Sequence, residues 1–147
     1  MRTVHVAWQP DAERFTASGV HPEHTIAINA PHPSDDHAAT GFSATELLLA
    51  GAGACAAWDV VEILRKQRQD VSAIDVRVDG EQDSEAPHSY RRIALHFRFT
   101  GRGLSEDSLR RIVRLSIDRY CSVIETVRGV AEIVDSVEVV DAANGAA

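Results

Sequence analysis

The two cysteines, Cys55 and Cys121, are the residues of this sequence best suited to covalent chemistry. A thiol reacts as its thiolate. By attacking an electrophilic oxygen the thiolate becomes a sulfenic acid, and a second thiol condenses with that acid to give a disulfide. Two cysteines suffice for this cycle, provided the fold brings them together. Their local settings differ. Cys121 stands immediately before Ser122, and Glu125 follows three residues later, a pattern that starts a helix. A helix start favours a thiolate through its unpaired N–H groups. Cys55 lies well inside an apolar segment, one helical turn before Asp59 on the same face, and that carboxylate opposes a second negative charge. Local sequence therefore favours Cys121 as the thiolate.

The segment that carries Cys55 runs from Gly41 to Gln69. Between Leu47 and Leu64 only Asp59 and Glu62 are charged, there is no proline, and Arg65, Lys66 and Arg68 close the run. This predicts one long buried helix. Ser43 with Glu46 three residues on is a capping-box pattern at its start. Around the cysteine the side chains shrink to Ala50-Gly51-Ala52-Gly53-Ala54-Cys55-Ala56-Ala57, which permits a close approach by another backbone. Asp59 and Glu62 interrupt the run, no second such segment exists and the mean hydropathy is −0.16, so no membrane span is expected.

Flanking segments alternate with a period of two. Thr3–Trp8, Glu13–Ser18 and Thr25–Ile28 predict three short strands, and residues 29–40 predict a loop. Past the helix, Ile74, Val76 and Val78 mark one strand and Ile93, Leu95, Phe97 and Phe99 another, each with one buried face. His96 falls on the opposite face and is expected to point outward rather than act as a base. Ser105 opens a second helix with Leu109, Ile112, Val113 and Ser116 inward, and Ser122 and Glu125 cap a third that stops at Gly129. A last strand, Ala131–Val140, turns Ile133, Val137 and Val139 inward. This order predicts an α+β fold with antiparallel sheets wrapped around the buried central helix. A single domain is expected over 1–147, with N-terminal strands and loop at 1–40, a core at 41–140 and a tail at 141–147.

Fifteen Lys and Arg against 22 Asp and Glu give a net charge of −7, the wrong sign for nucleic acid or an anionic membrane surface. The N-terminal MRTVHVAWQP has no secretory signal pattern, which leads us to expect a cytoplasmic chain with reduced thiols. His21, His24, His32 and His37 cluster in a Pro- and Asp-rich stretch without regular period, which reads as a solvated loop rather than a metal site.

Glu46-Leu47-Leu48-Leu49, the Gly/Ala stretch ending in Cys55, and Asp59-Val60-Val61 with Ile63-Leu64-Arg65-Lys66 resemble the central helix of the osmotically inducible protein C and organic hydroperoxide resistance (OsmC/Ohr) family. Val78-Asp79-Gly80-Glu81, Ile93-Ala94-Leu95-His96-Phe97 and the segment Leu115 to Val123, with its Tyr-Cys-Ser-Val, are similar to further family segments in order and spacing. The resemblance implies an intertwined homodimer whose two central helices pack together. It also implies a cysteine-based peroxidase of the oxidative stress response, acting on organic hydroperoxides and restored by an external dithiol, without a cofactor. By this resemblance Cys55 attacks the peroxide and Cys121 resolves it, the reverse of the order that local sequence favours, so Cys55 would need a cation from elsewhere in the fold. The family draws that cation from an arginine near the N-terminal strands held by a glutamate at the start of the central helix. Arg14 is the candidate in the second strand, and Glu46 lies one residue past the family's glutamate position. The Asn-Pro that precedes the glutamate in the hydroperoxide reductases is absent, and Thr45 occupies the aligned position, which places the chain nearer the broader OsmC-like branch. The alternative that the resemblance allows is a noncatalytic dimer binding a small hydrophobic or thiol ligand between subunits.

Overall fold

The computed structural model of this chain describes residues 1–29 and 39–142. They fall into two compact units, Met1–Leu48 and Leu49–Ala147. Most of the loop expected at 29–40, with His32 and His37, and most of the expected tail lie outside the described residues.

The first unit is an antiparallel meander of β1 (His5–Gln9), β2 (Arg14–Ser18) and β3 (Thr25–Ile28). Pro10 starts a single 3-10 turn between β1 and β2, and Glu13 leaves it with φ 45°. Alternation puts Val6, Trp8, Phe15 and Ile26 on one face of this sheet, and all four are exposed within the chain. The Trp8 and Phe15 rings lie 5.0 Å apart as a cross-strand pair. Gly41 then runs beside β3, where a Cβ would sit 2.4 Å from the Ala27 carbonyl oxygen, so only glycine fits. The central helix α1 (Ala44–Lys66) begins next. Its capping box forms as expected: the Ser43 N–H donates to Glu46 Oε2 at 2.7 Å and the Glu46 N–H to Ser43 Oγ at 3.0 Å.

In the second unit α1 covers a sheet of β4 (Val71–Gln82), β5 (Tyr90–Gly101) and β6 (Glu132–Asp141), in that order. Ala52, Ala56, Val60 and Leu64 recur every four residues and are buried. They share one core with Ile93, Leu95, Phe97 and Phe99 of β5, the inward set that alternation selects. β4 and β5 are antiparallel. β5 and β6 are parallel, which corrects the expectation of antiparallel pairing throughout. The reason is the connection: α2 (Glu106–Leu115), a π-helical turn (Ser116–Tyr120) and α3 (Ser122–Val127) carry the chain back to the end of the sheet where β5 began. Leu109, Ile112, Val113 and Ser116 are all buried, as their spacing predicts. On the outer face of the sheet Arg92 sits between Glu81 and Glu132, and His96 joins Asp79 Oδ2 at 3.1 Å to Ser136 Oγ at 2.7 Å. His96 points outward as expected, within a cross-strand polar ladder.

The helix expected to be buried all round is buried on one side only within a single chain. Trp58 is 67% exposed and Leu48 39%. It is long and apolar enough to cross a membrane, yet Ala52, Ala56 and Val60 are wholly enclosed in the core. The small residues divide between the two sides. A Cβ on Gly53 would come within 2.7 Å of Val78 Cγ2, so this glycine seats α1 against β4, whereas nothing lies within 4 Å of a Cβ on Gly51. Alanine at Gly53 gains about 1 kcal/mol of helix propensity but overpacks against a stiff valine, a cost of roughly 1–3 kcal/mol. We therefore expect Gly53→Ala to lower the urea midpoint at matched protein concentration. An unchanged or raised midpoint would mean that β4 yields to the methyl group.

Candidate active site

Both cysteines belong to the second unit, and two backbone carbonyls of α1 decide where Cys121 goes. Ser116, fully buried, donates its hydroxyl to the Ala56 carbonyl at 2.9 Å. The chain then winds through one π-helical turn, closed by the Cys121 N–H on the Ser116 carbonyl at 2.9 Å. This delivers the Cys121 thiol to the Ala52 carbonyl, one turn of α1 back from Ala56, at a sulfur to oxygen distance of 4.0 Å. Cys55 lies between those two carbonyls in sequence, half-buried, with its sulfur 4.0 Å from the hydroxyl of Ser122. The fold therefore brings the cysteines together, with both thiols free.

The surroundings divide the pair electrostatically. Burial pushes the Cys55 thiol up, but the Val123 backbone N–H, the Cys121 thiol and the Ser122 hydroxyl all hydrogen-bond its sulfur, and the net effect is downward. Asp59 opposes them and is the smallest influence. Cys121 goes the other way, to about 11, mainly because it is buried, and its contact with Cys55 adds to the rise. The local expectation that favoured Cys121 as the thiolate is thus reversed. Cys121 occupies the cap position of α3 but turns its sulfur into the core, where it is 2% exposed. The first-turn amides of α3 reach both sulfurs, Val123 N–H bonding Cys55 and the Ile124 and Val123 N–H groups bonding Cys121, where burial outweighs them. Hydrogen-bond donors lower the Cys55 thiol.

Ser122 and Val123 are the neighbours that sequence reasoning missed as site residues. Ser122 was expected to cap α3 in a box with Glu125, and that box does not form. The Glu125 N–H bonds the Cys121 carbonyl at 3.0 Å, the Glu125 carboxylate pairs with Arg128 at 3.2 Å, and α3 ends at Val127 rather than at Gly129. Adjacency to Cys121 was the one available signal. Arg14 and Glu46 lie in the first unit. Arg14 is half-buried on β2, and its Nε has no hydrogen-bond partner among the described residues. Glu46 holds the start of α1 through Ser43. Among the described residues no group of three or more His, Cys, Asp and Glu side chains is placed to hold a metal ion, and His21 and His24 each stand within 4 Å of Glu23 in an exposed loop.

Residues 34–134 match the sequence model of a family described as OsmC-like protein. Protein YhfA of Escherichia coli K12 is 44% identical over 100 residues, which span 68% of this chain and 75% of YhfA. Among solved structures, a hypothetical protein from Aquifex aeolicus VF5 superposes with a TM-score of 0.81 at 26% identity, over 96% of this chain and 97% of that one. The OsmC-like protein from Mycoplasma pneumoniae gives 0.80 at 21%, over 95% and 97%. The organic hydroperoxide resistance protein OhrB of Bacillus subtilis gives 0.64 at 15%, over 94% and 98%, a likeness of fold. The family match over more than half of the sequence, the identity to YhfA and the shared fold agree, and this chain belongs to the OsmC-like protein family.

Proposed function

We propose that this protein is a thiol peroxidase that reduces organic hydroperoxides, with Cys55 as the attacking thiol and Cys121 as the resolving one. The observation that carries this reading is the adjacency of the two thiols in opposite electrostatic states, one favoured as thiolate and half-exposed, the other held protonated and buried. The Cys55 thiolate attacks the terminal oxygen of ROOH. An S–O bond forms as the O–O bond breaks, leaving a Cys55 sulfenic acid and an alkoxide that takes a proton from solvent. Cys121 then attacks the Cys55 sulfur, water leaves and a disulfide forms. An external dithiol restores both thiols and is itself oxidised to a disulfide. The organic hydroperoxide resistance proteins that share the fold support the substrate class. The assembly proposed is a homodimer, supported by the uncovered apolar side of α1 at Trp58 and by the exposed apolar face of the first sheet.

Mass spectrometry after one equivalent of cumene hydroperoxide tests the chemistry. We expect a loss of two hydrogens in the wild type, none in Cys55→Ser, and a dimedone-trappable sulfenic acid on Cys55 in Cys121→Ser. Unmodified wild-type thiols would point to a ligand-binding dimer, and a Cys121→Ser chain that resists oxidation would exchange the two roles.

The pH dependence follows from the lowered Cys55 thiol. The deprotonated form reacts, so the oxidation rate falls as pH drops through the folded-state value, and its midpoint should lie below the ordinary cysteine value of 9.0. Stopped-flow oxidation from pH 5 to 10 reads this directly. A midpoint above 9.0 would contradict the donor arrangement around Cys55.

Sedimentation tests the assembly. Burying several large apolar side chains at about 25 cal/mol per Å² contributes roughly 2 kcal/mol each, so a dimer should persist at micromolar concentration. A folded monomer there would show that these faces stay open to water.

A further inference from the structure

Ser122 stands at the first position of α3, one residue past the cap position that Cys121 occupies and so out of capping geometry. Here the hydroxyl makes no cap. The helix start is closed by the Cys121 carbonyl, which takes the Glu125 N–H, and the Ser122 carbonyl takes the Thr126 hydroxyl at 2.7 Å. Among the described residues the Ser122 hydroxyl has one contact, the Cys55 sulfur at 4.0 Å. Its other side is exposed and borders a groove of about 470 Å³ lined also by Ile117, Arg119, Tyr120 and Glu125. A hydroxyl with no capping role, 4.0 Å from a thiol on one side and open to solvent on the other, is placed to serve that thiol.

We propose that Ser122 is the positioning residue of Cys55, holding the sulfur towards the start of α3 and donating its O–H to the thiolate. The proposal rests on Cys55 as the attacking thiol. Its three donors have different fates. Cys121 ceases to donate when it joins the disulfide, and the Val123 amide is fixed backbone, whereas Ser122 donates before attack and again when the disulfide is reduced. Ser122 keeps its proton throughout. The peroxide supplies the oxygen that enters the S–O bond, and solvent supplies the proton that the alkoxide takes.

The test reads the thiol and needs no peroxide. Wild type, Ser122→Ala and Ser122→Thr are alkylated with iodoacetamide from pH 5 to 10, and modification of the Cys55 peptide is followed separately from that of Cys121. Because Ser122 is exposed and caps nothing, both variants should melt with the wild type. Loss of one hydrogen bond to a charged sulfur corresponds to about one pH unit, so Ser122→Ala should raise the Cys55 midpoint by that amount and cut the alkylation rate at lower pH roughly tenfold. Ser122→Thr keeps the hydroxyl and should restore most of the difference. An Ala variant that titrates with the wild type, or a Thr variant displaced as far as Ala, would overturn the assignment. A protein inert to cumene hydroperoxide would still show the shift, so failure of the peroxidase reading and failure of the Ser122 role are separately visible.

Discussion

Two side-chain hydrogen bonds to consecutive turns of one helix govern the site. Within α1 the carbonyls of Ala52 and Ala56 already accept from the helix ladder, and each has a second lone pair free. Ser116 takes up one at 2.9 Å and the Cys121 thiol approaches the other at 4.0 Å. Carbonyls four residues apart on α1 rise by about 6 Å. The π turn Ser116–Tyr120 leads from the first of these side chains to the second. Both carbonyls are reachable only because alanines stand on this face of α1, with Ala52 and Ala56 fully buried beneath the incoming segment.

This arrangement explains why the cysteine at the start of a helix is the less acidic of the two. The free N–H groups of a helix N-terminus lower a thiol that they reach, but burial of that thiol can outweigh them. Cys121 turns inward, loses solvation and is pushed up to about 11. The Val123 amide serves both sulfurs, and on Cys55 it adds to other donors that together outweigh the burial. Asp59, which looks decisive in the sequence, is outweighed by donors that approach from a segment far along the chain.

Where a local rule had only local competitors, the sequence was legible. The Ser43–Glu46 capping box, the burial of Leu109, Ile112, Val113 and Ser116, and the inward alternation of Ile93 to Phe99 all followed from spacing alone. The parallel pairing of β5 and β6 did not, because strand direction depends on where the intervening helices return the chain. The Ser122–Glu125 box failed for a tertiary reason. Cys121 is drawn to Ala52 and takes the cap position, which moves Ser122 one place into the helix and out of capping geometry. The pairing of Cys55 with Cys121 came from resemblance to a family, and the geometry that brings them together depends on a π turn that no spacing announces.

The same contacts bear on how the site can work without falling apart when its sulfurs change state. The Ser116 hydroxyl holds Ala56 independently of either cysteine, so the segment stays docked on α1 whether or not Cys121 is engaged with Ala52. A buried hydrogen bond of this kind costs more to break than it contributes when made, because the Ser116 hydroxyl would be left unpaired in a dry core. In the cycle we propose, the weaker sulfur contact at Ala52 is the one given up. One firm contact and one soft contact, a single helical turn apart on α1, are the arrangement that the proposed disulfide step needs, since the segment keeps its hold at Ala56 when the Cys121 thiol turns to Cys55.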